Sequence, residues 1–464
     1  MAIALLLIAA GLLVWACLYA DRVSLPLLAA ATVVLGYVFG PEFWGAEVGP
    51  VTVTLDRLLL LTAACLFAWR VWRGRVAGSA VGGIDWALGL TLLWLTASAI
   101  AYRPGDADLL PKSPFWRLAV SFWAPAVLFV VTRQSPVDGR TVTAVLAMLT
   151  LLGGYLAVTA LAETAGLWPL VFPRFIANPE LGMHFGRARG PALNSVSLGV
   201  YLSVCFWAAW LLLPRCPRLV QPAVFVAMPL MAFGVLLTYT RSTWIGLAAS
   251  GVAVLAVQLP RRLRMPVLTG VGVCGVLAGA LLWQSVLYLE REDSGGVSRH
   301  SVQQRTAFAY VSWRMFCDHP LTGVGFGRFY DQKLPYLSDR SQVFELESLR
   351  ELHHHNTFLG LLVETGMIGL AAYAAVLGGL LVCGWRLAHA AGAPAAIRSL
   401  GVLLIGAVMV YLPSAIFHDL THVQSDQWLL FFVAGTAVGC ERRLRSPLPA
   451  AVPATVHTRP AALA

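Results

Sequence analysis

The sequence predicts an all-α fold: a polytopic membrane helical bundle of about 12–13 transmembrane helices with one large loop on the non-cytoplasmic side. Three observations carry that prediction. Mean hydropathy is +0.73 and only 12% of residues are charged, where soluble domains carry roughly a quarter. Apolar runs of about 18–22 residues, long enough to cross about 30 Å of hydrocarbon, recur along nearly the whole chain. The basic residues, 31 Arg against 2 Lys, punctuate the gaps between those runs, as arginine does where it sets orientation in a bilayer. That placement argues for a lipid bilayer, and against nucleic acid, as the partner of a chain of net charge +10.

The first run, near 2–20, lacks a basic n-region and a small-residue cleavage pattern and reads as a retained span. Further spans fall near 24–40, 55–71, 84–101, 115–132, 141–165, 191–213, 219–239, 242–259 and 265–287, then near 356–384, 399–417 and 427–440. Alternate gaps carry the arginines, among them Arg70, Arg73, Arg75, Arg133, Arg140, Arg215, Arg218, Arg386, Arg398, Arg442, Arg443 and Arg445. Those gaps are expected on the cytoplasmic side. The intervening gaps hold Glu42, Glu47, Asp106, Asp108 and Glu180. The chain thus divides into transmembrane helices over 1–287, a hydrophilic insert over 288–355, further transmembrane helices over 356–445, and an Ala- and Pro-rich tail over 446–464 that reads as a disordered cytoplasmic extension. The eight cysteines show no CxxC or CxxH spacing, so neither a zinc site nor a disulfide framework is supported.

An insert that long implies a function or disorder, and this one is not of low complexity. In SVQQRTAFAYVSWRMFCDH, apolar residues at 302, 308, 311, 315 and 316 predict an amphipathic helix lying on the protein or on the membrane surface. HPLTGVGFGRFY then breaks it with Pro320, Gly323, Gly325 and Gly327.

Several polar residues stand where the non-cytoplasmic side is expected. Arg241 sits between two spans with almost no loop, either as an interface anchor or as an anion ligand whose guanidinium fork grips phosphate oxygens. Arg187 and Arg189 precede another span, and Arg305 opens the insert helix. The run ELHHHNTFLGLLVETGMIGL places His353, His354 and His355 before an apolar stretch. Consecutive side chains diverge, so three adjacent imidazoles do not converge on one metal ion. His353 and His354 read as solvated loop residues. His355, at the membrane boundary, suits a general base, since a neutral imidazole takes a hydroxyl proton near neutral pH. Glu364 is assigned a structural role. FHDLTH (His418, Asp419, His422) has i, i+4 spacing but no third ligand, so no metal site is assigned.

The stretch HNTFLGLLVETGMIG, with His355-Asn356, nine residues, Gly366, two residues and Gly369, resembles the bacterial O-antigen ligase family. The superfamily also includes O-antigen polymerases and protein O-oligosaccharyltransferases. The resemblance runs from about residue 185 onwards, through RARG, TRS, the arginine of the insert helix and the Pro320–Phe329 turn. It implies a GT-C-like, metal-independent membrane glycosyltransferase without a cofactor, in the bacterial inner membrane with its active site facing the periplasm. The implied donor is a glycan on undecaprenyl diphosphate; the implied acceptor is a lipid A–core sugar or another glycan or protein hydroxyl. Carried onto this sequence, His355 looks like the catalytic histidine. Arg241 and Arg305, with Arg189 as helper, look like the diphosphate ligands, and Asn356, Gly366 and Gly369 like supporting residues. A polymerase or a protein glycosylase is the alternative within the superfamily. A lipid-linked sugar transporter is the alternative outside it, disfavoured because mid-span acids are few and the polar residues gather on one side.

Overall fold

A computed structural model describes residues 22–48, 51–76, 80–101, 114–260, 262–270, 272–273, 297–339 and 346–445. The first expected span at 2–20, most of that at 265–287, and the tail from 446 lie outside these residues. The chain folds as α1 (Leu25–Val38), a small hairpin β1 (Gly45–Val48) and β2 (Val51–Thr54), α2 (Leu55–Trp72), α3 (Gly83–Ala101), α4 (Pro114–Gln134), α5 (Gly139–Thr164), α6 (Ser195–Leu212), α7 (Gln221–Leu237), α8 (Arg241–Gln258), α9 (Val297–Asp318), α10 (Thr357–Ala388), α11 (Ala395–Phe417) and α12 (Gln424–Arg445). The protein is an all-α, multi-pass membrane protein. Six described helices, α3, α4, α5, α6, α10 and α11, are long and apolar enough to cross a bilayer. The hairpin, antiparallel with Gly45 opposite Thr54, is the one departure from helix among the described regular elements.

The helices start where side chains can satisfy free backbone N–H groups. Asp138 caps α5 by accepting from Thr141 N at 2.8 Å, Asn194 caps α6 through Val196 N at 2.9 Å, and Asn356 caps α10 through Leu359 N at 2.9 Å. α6 and α12 are buried on nearly all sides and form the axis of the bundle. They are joined at one end by Ser197 Oγ, which donates to Asp426 Oδ1 at 2.6 Å.

That end also collects the start of α10 and the end of α11. Thr357 Oγ1 donates to His418 O at 3.0 Å and accepts from Leu420 N at 2.9 Å. At the opposite end the arginines of the basic gaps are held. Arg133 Nε lies 2.7 Å from Asp85 Oδ1, Arg442 Nη2 lies 3.5 Å from Asp85 Oδ2, and Arg215 donates to Ala395 O at 2.9 Å.

The insert has a core of its own. Ala307, Phe308, Val311 and Met315 of α9 are buried with Val324, Phe329, Leu337, Leu346, Leu349 and Val363. The apolar face of the amphipathic helix therefore lies on protein. Val363 belongs to α10, and there the insert is clasped to the bundle. α10 is broken at Gly366 (φ 66°, ψ −170°). Across the break, Val324 N donates to Val363 O at 2.9 Å, Gly325 N to Glu364 O at 2.9 Å, and Met367 N to Pro320 O at 2.9 Å. A Cβ on Gly366 would stand 2.1 Å from Leu321 O, and its positive φ favours glycine as well.

Candidate functional site

The turn between α7 and α8 is only three residues long, and Tyr239 takes a positive φ of 48° to make it. Arg241 thereby becomes the first residue of α8, with an exposed side chain. Arg305, one turn before Phe308 on α9, is also exposed, and its guanidinium carbon sits 5.8 Å from the centre of the Phe417 ring at the end of α11. His355 packs edge-on against Phe308, with centroids 5.4 Å apart. Three separate stretches of chain thus bring Arg241, Arg305 and His355 to the end of the bundle that carries the insert.

The electrostatics bind them into one site. Burial, and then the nearby positive charge of Arg241, push the Arg305 guanidinium below its usual range. Among the described residues neither arginine makes an ion pair with a carboxylate. The His355 ring keeps open surface, yet desolvation by the protein packed round it, and then Arg305, hold its imidazole below the usual histidine range. It is therefore neutral near pH 7 and able to accept a proton. His418 is pushed down to about 3 by burial and by the fields of Arg305, His184, His355 and Arg187. Two neutral imidazoles and two guanidinium groups, those of Arg241 and Arg305, without a carboxylate ion pair among the described residues suit an anionic ligand with a proton to be removed beside it.

Arg189 is placed differently. It is 1% exposed, and its guanidinium donates to Ile176 O at 2.8 Å, Asn178 O at 2.6 Å and Leu181 O at 2.5 Å. Its backbone N–H and that of Gly190 donate to Glu163 Oε2 at 3.1 and 2.9 Å. Its Nη1 and Nη2 are occupied by the chain between α5 and α6, so it organises that segment rather than offering an open fork. Ala188 N then donates to Leu237 O at 3.2 Å, which sets Arg187 beside the Arg241 turn.

His354 also departs from the expectation of a solvated residue. It is 5% exposed, its ring centre lies 3.5 Å from that of Phe329, and its Nε2 is buried without a partner. Burial pushes it down to about 3. Its neighbour His353 is exposed. Asn356, Gly366 and Gly369 act on geometry: a cap, the clasp, and a close contact where a Cβ on Gly369 would stand 2.0 Å from Thr365 Oγ1.

Arg117 of α4 is a residue that sequence reasoning missed. Its Nη1 donates to Glu364 Oε1 at 3.1 Å, Nη2 bonds the other carboxylate oxygen, and the guanidinium stacks on Phe326 at 4.3 Å. A lone Arg near the start of one apolar run and a lone Glu inside another were the available signal, because each is costly without a partner. Glu364 is 1% exposed and holds the structural role expected of it. Among the described residues no group of three or more His, Cys, Asp or Glu has the geometry to hold a metal ion.

Fold and site define a multi-pass membrane protein with an open cationic site at one end of its bundle. Residues 226–374 match the family model described as O-antigen ligase, which indicates a glycosyltransferase-type enzyme. The match runs from α7 into α10 and contains Arg241, Arg305, His355, Asn356, Gly366 and Gly369; Arg189 and Arg117 lie outside it. No curated protein matches the chain.

Proposed function

We propose that the protein transfers a glycan from undecaprenyl diphosphate to an acceptor hydroxyl, with a lipid A–core sugar as the acceptor, on the periplasmic face of the bacterial inner membrane. The observation that carries this reading is the meeting of Arg241 and Arg305, both exposed and without a carboxylate partner among the described residues, beside the neutral imidazole of His355.

In this mechanism the acceptor hydroxyl attacks the anomeric carbon. A new carbon–oxygen bond forms, and the bond from that carbon to the diphosphate oxygen breaks with its electron pair leaving on the diphosphate. His355 takes the hydroxyl proton, a contribution of about 10²–10⁴ in rate. Arg241 and Arg305 stabilise the charge that grows on the leaving group, where fixed cations act most strongly. Arg189 serves the site by holding the segment that carries Arg187. Asn356, Gly366 and Gly369 set where α10 starts and how the insert docks on it.

The test is a reconstituted reaction in EDTA with purified protein and a polyprenyl-diphosphate glycan, with and without lipid A–core. One acceptor-dependent product supports the ligase reading. A ladder that grows without acceptor assigns the site to a polymerase, and no product in either arm overturns glycan transfer to this acceptor.

A further inference from the structure

Beside the cationic site, at the same end of the bundle, lies a cleft of about 310 Å³ walled by α1, α2, the segment before α6 and the start of α12. Its character is the reverse of its neighbour's. Glu42 and Asp56 line it, no Arg or Lys does among the described residues, and Asp426 lies buried behind Ser425 of its wall. Asn194, 8% exposed, also lines it. The Oδ1 of Asn194 is engaged by the N–H groups of Val196 and Ser197, while its Nδ2 has no partner among the described residues and is left to the cleft. Gln424, another lining residue, has a buried Oε1 without a partner. Tyr201 and Trp428 complete the wall.

Carboxylates, amide groups and aromatic rings around a concave space are the complement of a polyhydroxylated ring: acceptors and donors for hydroxyls, and apolar surface for its C–H faces. Among the described lining residues, phosphate and carboxylate groups find no Arg or Lys and meet the carboxylates of Glu42 and Asp56. We propose that this cleft is a sugar-binding subsite that takes an uncharged or amino-bearing sugar and rejects phosphorylated or acidic ones. As a part of glycan transfer it rests on the function proposed above; as a binding site it stands on the cleft alone. The cleft borders the cationic site through Met183, next to His184, and through His422, whose Nε2 lies 3.6 Å from Asp419 Oδ2. A glycan held there keeps its reducing or accepting end near the diphosphate ligands while its own charge is selected separately.

The experiment is saturation-transfer NMR on the full chain in lipid nanodiscs, with trimers of glucosamine, N-acetylglucosamine and galacturonic acid as probes. The expected order of affinity is glucosamine, then N-acetylglucosamine, then galacturonate, with at least about tenfold between the first and the last. The double substitution Glu42→Gln and Asp56→Asn keeps the shapes and is expected to narrow that gap by about tenfold. An absence of binding by any trimer, a preference for galacturonate, or an unchanged order in the double variant would overturn the proposal.

Arg305→Gln separates this subsite from the catalytic reading, because it is expected to lose transfer and keep the binding order. Protein that binds in this order but never transfers a glycan would overturn the catalytic reading alone. Where transfer is measured, competition by the glucosamine trimer against acceptor assigns the cleft to the acceptor sugar, and competition against donor assigns it to the donor glycan. No competition at saturating trimer would overturn a place for the cleft in transfer.

Discussion

The two ends of the bundle use the same residue for opposite purposes. At the end away from the insert, Arg133 and Arg442 share Asp85, and Arg443 donates to the carbonyls of Ser135 and Gln134. These guanidinium groups are neutralised or tied to helix ends, as orientation anchors are. At the insert end, Arg241 and Arg305 share a field with each other and with no carboxylate ion-pair partner among the described residues. Like charges held close cost free energy unless something else is stabilised by them. What an arginine does is therefore told less by its position along the chain than by which of its donors the protein leaves unoccupied.

The largest effect expected from breaking this contrast is at the base. His355→Ala should lower glycan transfer by about 10²–10⁴-fold with unchanged helicity and thermal midpoint. Wild-type turnover in that variant would remove His355 from the chemistry. Next is the pair that joins the two halves of the insert end. Glu364→Gln leaves Arg117 buried against a neutral partner and should cost about 3–5 kcal/mol of stability, read as a lowered unfolding midpoint in detergent. Replacing both residues by leucine should recover a large part of it.

The third prediction sets one end against the other. Arg241→Lys or Arg305→Lys keeps charge but loses the planar fork and should reduce kcat/KM by about 10–100-fold. Arg443→Lys should leave transfer alone and cost about 1 kcal/mol of stability. Equal effects at both ends would mean that all of these arginines are anchors.

The smallest effect is on pH dependence. With its folded-state pKa below the usual histidine value, His355 stays deprotonated until pH falls through that lowered value. The acid limb of kcat/KM should therefore lie below about 6.5. Arg305→Gln removes a cation that lowers the pKa, so the limb should move to higher pH. The move should be partial, because burial is the larger cause.

The bundle was readable because apolar length and arginine spacing are local properties of a sequence. Helices stand at 25–38, 55–72, 83–101 and 357–388 where apolar runs predict them. The amphipathic face of α9 was readable for the same reason. The clasp was not, because the partner of Gly366 is Leu321, forty-five residues earlier, and a helical run gives no sign that it is broken. The surroundings of Arg189 were not readable for the same reason. Its spacing before a span matches that of a ligand, and only the tertiary course of 176–181 shows that three carbonyls converge on it. His354 and His355 are neighbours in sequence, yet one is buried against Phe329 and the other stays exposed, edge-on against Phe308.

The clasp also dictates an order of assembly. Translation delivers Arg241 first, then the insert with Arg305, and only afterwards the strand-like pairing partners at 363–368. The insert can complete this docking only when residues 363–368 have been made. Arg305 and His355 thus reach their places together, late in biogenesis. A chain that stopped before residue 366 would carry both arginines but lack the contacts at 366–368 that complete the seat of the insert on α10.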